Sequence, residues 1–104
     1  MAQLRWTLAA RADLLEIGDF IARDSLLYAV NVVDRIVSAV EALQAAPLAG
    51  RVVPEYRRDD LRELIVRNYR LVYLMREAEV VVIRVIHGAR DFQAALGPQP
   101  WLLA

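Results

Sequence analysis

The sequence predicts an α+β fold of order β-α-α-β-β-β, in which a helical hairpin packs on a small, mainly antiparallel sheet. Two observations support this prediction. Apolar residues recur at helical spacing in the first half of the 104-residue chain, and β-branched and aromatic residues are concentrated in the second half. No repeat, low-complexity tract or linker interrupts these patterns, so residues 1–104 are expected to form a single domain.

The chain begins with a strand pattern and continues with a helix pattern. Residues 3–8 alternate apolar and polar side chains, which is the period of a half-buried strand. Residues 9–23 are amphipathic and predict a helix whose apolar side consists of Ala10, Leu14, Ile17 and Ile21. The acids of this helix are expected on its other side, and they are Asp13, Glu16 and Asp19.

A second helix is expected to follow almost immediately. Asp24 or Ser25 is a suitable N-cap, and the helix is expected to run to about residue 46, where Pro47 and Gly50 end it. Its predicted apolar stripe is Val30, Val33, Ile36 or Val37, Val40 and Leu43. Because almost no loop separates the two helices, they are expected to form an antiparallel hairpin that covers one face of the sheet.

The second half of the chain predicts a meander of three strands, at residues 61–66, 69–75 and 80–87. A further short strand within residues 51–56 is ended by Pro54. Asn68 lies in the first tight turn of the meander and is expected to adopt a positive φ. The last strand is apolar on both faces except at Arg84, so we expect it to be central in the sheet.

Composition and charge exclude several classes of protein. The chain has no cysteine, which excludes disulfides and thiolate metal sites. No N-terminal signal peptide is recognisable, and the longest uncharged stretch, residues 92–104, is short and broken by glycine and prolines. All thirteen basic residues are arginines, and thirteen acids balance them, so a general attraction to phosphate backbones is not expected. These features predict a soluble cytoplasmic protein with no metal, no cofactor and no membrane contact.

Four segments together resemble the ParE/RelE superfamily of bacterial toxins from type II toxin–antitoxin pairs. They read WTLAARADLLEIGDFIARDS, PLAGRVVPEY, LRELIVRNYRLVYLM and VIRVIHGARD, and they extend from Leu4 to about Phe92. The resemblance implies the same β-α-α-β-β-β order that the periodicity predicts. It also implies a toxin of plasmid-stabilisation or stress-response modules.

The superfamily contains two main activities. RelE-like members cut messenger RNA on the ribosome with a basic set of catalytic residues, whereas ParE-like members poison DNA gyrase without chemistry of their own. Arg70 and Arg90 match family arginine positions, but the lysines are missing, and no tyrosine, histidine or lysine follows Arg90. The resemblance is therefore greatest to the ParE-like branch, and we expect a non-catalytic gyrase poison. A ribosome-dependent endonuclease using Arg70, His87 and Arg90 is the alternative, and a third is a fold that retains only antitoxin binding and DNA autoregulation.

The resemblance also implies partners. The expected partner is a cognate antitoxin, ParD-like with a ribbon-helix-helix head, and the expected target is DNA gyrase. DNA would be contacted only indirectly, through the toxin–antitoxin complex. The high apolar fraction of the chain, 58%, is consistent with a surface that a protein partner covers.

Individual candidate residues each have a structural and a functional interpretation. His87 is either a general base or a group that satisfies a nearby backbone or acid. Arg90 and Asp91 either pair with each other or contact antitoxin or target. Arg70 is expected to form a salt bridge with Glu63 or Glu55.

Arg62 and Trp101 complete the candidate antitoxin- or target-binding set, which also contains Arg70, His87, Arg90 and Asp91. Arg62 and Glu63 are adjacent in a predicted strand and should point to opposite faces of a solvated sheet. Trp101, in the apolar C-terminal stretch, either folds back onto the sheet or contacts the target directly.

Overall fold

The computed structural model describes residues 1–104 and contains one five-stranded sheet, two long helices and one short helix. The elements are β1 (Gln3–Trp6), α1 (Leu8–Ala22), α2 (Leu26–Glu41), β2 (Arg51–Val52), β3 (Leu61–Val66), β4 (Tyr69–Arg76), β5 (Glu79–His87) and α3 (Phe92–Leu96). The predicted α+β class and element order are confirmed, and α3 is an additional element. None of the helices combines the length and the apolar character that crossing a bilayer requires.

The strands are arranged in the order β1-β5-β4-β3-β2. β5 therefore lies inside the sheet, as its apolar sequence predicts. β1 is parallel to β5, and the other pairs are antiparallel. β1 reaches only as far as Val82, so the outer edge of residues 83–87 has no neighbouring strand. A register shift between β4 and β5 falls beside this edge, where Val72 pairs with Arg84 and Tyr73 pairs with Val82.

The helix boundaries differ from the prediction at both ends of the hairpin. The first strand ends at Trp6 rather than residue 8, because the Thr7 hydroxyl accepts the Ala10 N–H at 3.1 Å and caps α1. Ser25 caps α2 through the Tyr28 N–H, as predicted. α2 ends at Glu41 and continues only as a 3₁₀ turn, Ala42–Gln44, before Pro47.

The buried side of α2 also differs from the predicted stripe. It consists of Ala29, Val32, Ile36, Val40 and Leu43, whereas Val30 is 47% exposed. At the start of this helix the buried positions Ala29 and Val32 and the predicted positions Val30 and Val33 are all apolar. Periodicity alone therefore does not distinguish the two sides of the helix.

In the irregular segments one prediction is wrong and one is confirmed. The β3–β4 turn places its positive φ, 52°, on Arg67 and not on Asn68. A two-residue turn requires this conformation at its first central residue, and the Asn68 carbonyl instead accepts the Gly88 N–H at 2.6 Å. The short strand expected within residues 51–56 is present as Arg51–Val52 and is ended by Pro54 as predicted, since turn residues begin at Pro54, which has no N–H for a sheet.

Both faces of the sheet are covered. The helix hairpin covers one, which we call the helix face, and its core residues are Ala10, Val32, Ile36, Val40, Val66, Leu71, Val82 and Val85. Residues 91–104, which we call the tail, cover the opposite face, the tail face. Its core residues are Val53, Leu61, Val72, Leu74, Val81, Ile83, Ile86, Phe92 and Leu96. The sheet thus separates the polar side chains of the two faces.

Candidate functional site

Arg70 is the centre of an ionic network on the tail face. Its guanidinium donates to the Glu63 carboxylate at 2.6 and 3.0 Å, and to both oxygens of Glu55 at 2.9 Å. Both predicted salt bridges are therefore present. The guanidinium carbon also lies 3.4 Å from the centroid of the Phe92 ring. The hydrogen bond from Arg70 lowers the pKa of Glu55, and the same bonds raise the pKa of Arg70 further above its ordinary value.

Glu63 and Arg62 point to opposite sides of β3, as predicted. The Glu63 side chain is not solvated, however, since it is fully buried and also accepts from Arg51 at 2.8 Å. Arg62 donates to the backbone carbonyls of Asp59 and Gly50 at 2.9 and 3.0 Å. Arg62 thereby ties β3 to the loops on either side of β2.

His87 lies at the end of β5 on the helix face. Its Nδ1 accepts the Ala89 N–H at 3.0 Å, and its ring packs edge-on against Tyr69 with centroids 5.3 Å apart. His87 therefore satisfies a backbone group, which is one of its two predicted interpretations. In the neutral imidazole this bond places the proton on Nε2.

A cavity of about 620 Å³ opens beside His87, between α1 and the ends of β4 and β5. Its apolar walls include Ile17, Phe20, Tyr69 and Val85, and its polar lining consists of Asp13, Glu16, Asp19, Arg23, His87 and Arg90. Acidic and basic groups are thus interleaved around one opening. His87 and Arg90 thus lie beside acidic residues of α1, although α1 is far from them in the sequence.

Arg90 and Asp91 do not form the structural pair that was one of their interpretations. Asp91 is the N-cap of α3, and its carboxylate accepts the Ala94 N–H at 3.2 Å. Arg90 is exposed and belongs to none of the six ion pairs of the chain. Its contact with a partner stays a prediction.

Trp101 folds back onto the tail face. Its ring is half-buried, packs edge-on against Tyr56 with centroids 6.4 Å apart, and lies 4.2 Å from the Arg58 guanidinium. The neighbouring Leu102 and Leu103 remain 67% and 48% exposed. The end of the tail is therefore anchored by one aromatic ring and presents two leucines to solvent.

The sheet separates the three residues of the catalytic alternative. Tyr69 pairs with His87, and Arg70 pairs with Ile86, so Arg70 and His87 alternate onto opposite faces. Arg70 contacts Phe92 of the tail-face core, whereas His87 contacts Tyr69, which packs on the helix-face core.

One buried charge was missed by the sequence analysis. Asp13, expected on the polar side of α1, is 8% exposed and pairs with Arg84 at 2.7 and 3.0 Å. It also accepts the Val85 N–H at 2.9 Å. The signal that points to such a partner is Arg84 itself, since an arginine in an otherwise apolar internal strand requires an acid.

Comparison with known proteins identifies the family. Residues 4–92 match the family model described as the ParE toxin of the type II toxin–antitoxin system parDE. A solved structure of the chromosomal ParDE TA system from P. aeruginosa has the same fold, with a TM-score of 0.70 and 26% identity. That match covers 84% of this chain and 96% of the other chain.

Two curated relatives agree with this match. Toxin RelE2 of Caulobacter vibrioides is 36% identical over 91 residues, which cover 86% of this chain and 99% of that protein. Y4kP, a candidate toxin of Sinorhizobium fredii, is 36% identical over 95 residues, which cover 90% of this chain and 96% of that protein. The chain therefore belongs to the ParE toxin family of type II toxin–antitoxin systems.

Proposed function

We propose that this toxin acts without catalysis, by binding DNA gyrase, and that a cognate antitoxin neutralises it. The family and its toxin class are established above, but the relatives carry both ParE and RelE names. The choice between the two activities therefore rests on the state of the candidate catalytic residues. One observation supports a non-catalytic toxin. Arg70 is bound to Glu63 and Glu55, and it lies on the face of the sheet opposite His87.

A ribonuclease of the RelE kind needs a free cation beside the scissile phosphate and a proton acceptor beside the sugar. Arg70 already donates four hydrogen bonds to two carboxylates, and one of these, Glu63, is fully buried. A phosphate that captured Arg70 would leave Glu63 with only one partner, Arg51. Breaking a buried pair in this way costs about 3–5 kcal/mol.

The cavity beside His87 is also unsuited to a phosphate chain. His87 and Arg90 could contact an anion there, but Glu16 and Asp19 line the same opening. Carboxylates that line the same opening repel a phosphodiester, whereas a protein partner can place its charges selectively. His87, Arg90 and the exposed end of the tail beside Trp101 are then contact residues for antitoxin or target.

An antitoxin partner is supported by the outer surface of the hairpin and by the solved relative, which is a ParDE toxin–antitoxin system. Exposed large apolar side chains are concentrated on the two helices, and they are Leu8, Leu15, Phe20, Leu26, Leu27, Tyr28 and Val30. Such a surface suits an amphipathic partner helix. We propose a ParD-like antitoxin with a ribbon-helix-helix head, so that DNA is contacted only through the complex.

Two assays on the purified protein distinguish the activities. Incubation with gyrase and supercoiled plasmid is expected to accumulate cleaved DNA–gyrase complexes, while messenger RNA on programmed ribosomes stays intact. Arg90→Ala is expected to weaken the gyrase effect, with Arg35→Ala, an exposed arginine on α2, as the matched control. Cleavage of ribosome-bound messenger that is lost in His87→Ala would instead establish the endonuclease. Inactivity in both assays would leave a protein that only binds its antitoxin.

A further inference from the structure

Arg84 contacts elements on both sides of the sheet. It lies at the register shift of β5, just beyond the point where β1 stops covering the edge of the sheet. From this position its guanidinium donates to both carboxylate oxygens of Asp13 on α1 and, at 3.0 Å, to the backbone carbonyl of Ala95 on α3. One side chain thus bonds the hairpin and the tail, which otherwise cover opposite faces.

We propose that Arg84 is a positioning residue that makes docking of the tail depend on the placement of α1. Asp13 fixes the guanidinium, because its carboxylate is held in turn by the Val85 N–H at 2.9 Å. The fixed guanidinium then presents one of its remaining N–H groups to Ala95. A shift of α1 that moves Asp13 therefore removes the hydrogen bond that holds α3.

The tail is held to the sheet by apolar anchors, by two arginine–aromatic contacts and by a few hydrogen bonds. The tail carries no charged side chain after Asp91, so no ion pair between side chains holds residues 92–104 to the sheet. Its carbonyls accept from three side chains of the body: Ala95 from Arg84, Gly97 from Tyr56 at 2.6 Å, and Trp101 from Arg76 at 3.0 Å. Only the bond from Arg84 leads back to the hairpin.

The consequence for regulation rests on the proposed function. If an antitoxin binds the outer surface of the hairpin and the exposed end of the tail contacts the target, a partner that shifts α1 changes the order of the tail without touching it. Binding at the two surfaces is then coupled, and the coupling must be reciprocal. The link itself belongs to the free toxin, so it can be tested without antitoxin or gyrase.

Amide hydrogen exchange of the free full-length protein tests the link. Asp13→Asn lies on α1, away from the tail, and is expected to accelerate exchange at the Gly97 amide by about tenfold or more. Amides of β4, in the centre of the sheet, are expected to keep their protection. Glu79→Gln is the matched control, since it removes a β5 ion pair with Arg5 but no hydrogen bond to the tail. If Asp13→Asn leaves the tail as protected as Glu79→Gln does, Arg84 is not a link.

Two further variants keep the test informative if Asp13→Asn unfolds the whole chain. Arg84→Lys keeps a charge for Asp13 but loses the planar fork that reaches both partners, so Gly97 is expected to exchange faster while the Val85 amide stays protected. Trp101→Ala loosens the tail from its far end and is expected to speed exchange at Val85, whose N–H reports on Asp13. The proposal would be overturned if the exchange rate of the Gly97 amide were unchanged in Arg84→Lys, or if that of the Val85 amide were unchanged in Trp101→Ala. Because no partner is present, either result leaves the gyrase proposal standing.

Discussion

The helix face of the sheet is covered by two helices of 15 and 16 residues, whereas the tail face is covered by a five-residue helix and a 3₁₀ turn. The hairpin packs mainly through apolar side chains. The tail combines a few apolar anchors with arginine side chains, which contact the rings of Phe92 and Trp101 and the carbonyl of Ala95. The same sheet is thus held by two kinds of interaction.

This difference shows where polar chemistry is concentrated in the toxin. The fully buried carboxylate of Glu63 and its arginine partners lie on the tail face, whereas the Tyr73 hydroxyl on the helix face bonds only backbone groups. Because ionic networks depend on every partner, the tail face should be the more sensitive to single polar substitutions. The following predictions test that expectation.

The largest effect is expected from Arg70→Met. The substitution preserves much of the apolar volume but leaves the buried Glu63 with Arg51 alone, whose own side chain is 60% exposed. The free energy of unfolding should fall by about 3–5 kcal/mol, measured by urea denaturation. The double variant Arg70→Met, Glu63→Gln should recover part of this loss, because it removes the uncompensated charge. A loss below about 1 kcal/mol in Arg70→Met would mean that the network is no stronger than a surface pair.

A smaller effect is expected from Tyr73→Phe on the helix face. The hydroxyl accepts the Gly50 N–H at 2.9 Å and donates to the Pro47 carbonyl at 2.7 Å, so its removal leaves two backbone groups without partners. The expected loss is about 1–3 kcal/mol by the same measurement. Tyr56→Phe is the counterpart on the tail face, where one partly buried bond to Gly97 is lost. If the two substitutions lower the free energy of unfolding by the same amount, the cost of losing these hydrogen bonds does not depend on burial.

The fold was predictable because its main elements bury continuous apolar patterns. The hairpin follows a helical period, and the three long strands are runs of six or more residues rich in β-branched and aromatic side chains, of which β4 and β5 are buried on both faces. α3 has five residues, too few to show a period, and much of its attachment is made through carbonyls that every residue possesses. Its sequence therefore contains no pattern that distinguishes docking on the sheet from exposure.

In the candidate site, ion pairs between residues close in sequence were predictable, whereas contacts between distant residues were not. Arg70 in an apolar strand requires acids, and Glu63 and Glu55 were identifiable because they lie close by in sequence. Asp13 and Arg84 are separated by 71 residues, and no local pattern connects them. The alternation that places Arg70 and His87 on opposite faces depends on the β4–β5 register, which the sequence alone does not define.

The third prediction concerns the start of the tail. Asp91→Ala removes the N-cap of α3, so the Ala94 N–H loses its acceptor. A lost cap costs about 0.5–2 kcal/mol, and in a helix this short the loss should appear as faster exchange of the tail amides. Asp91→Asn keeps a side-chain oxygen and should be nearly neutral. Equal effects of the two substitutions would show that the charge of Asp91, rather than its capping bond, stabilises α3.

The smallest effect is a dependence on pH that originates on the tail face. The hydrogen bond from Arg70 lowers the pKa of Glu55 from its ordinary value of 4.5, and Arg58 lowers the pKa of Asp60 from 3.8. Below these values the unfolded chain binds more protons than the folded chain, so stability is complete above about pH 5 and declines as the pH falls further. Both acids are partly exposed, so each should contribute less than about 1 kcal/mol. Urea denaturation between about pH 6 and about pH 3 should show a shallower decline for Glu55→Gln than for Glu41→Gln, an exposed acid of α2. Identical slopes would exclude Glu55 as a source of the acid sensitivity.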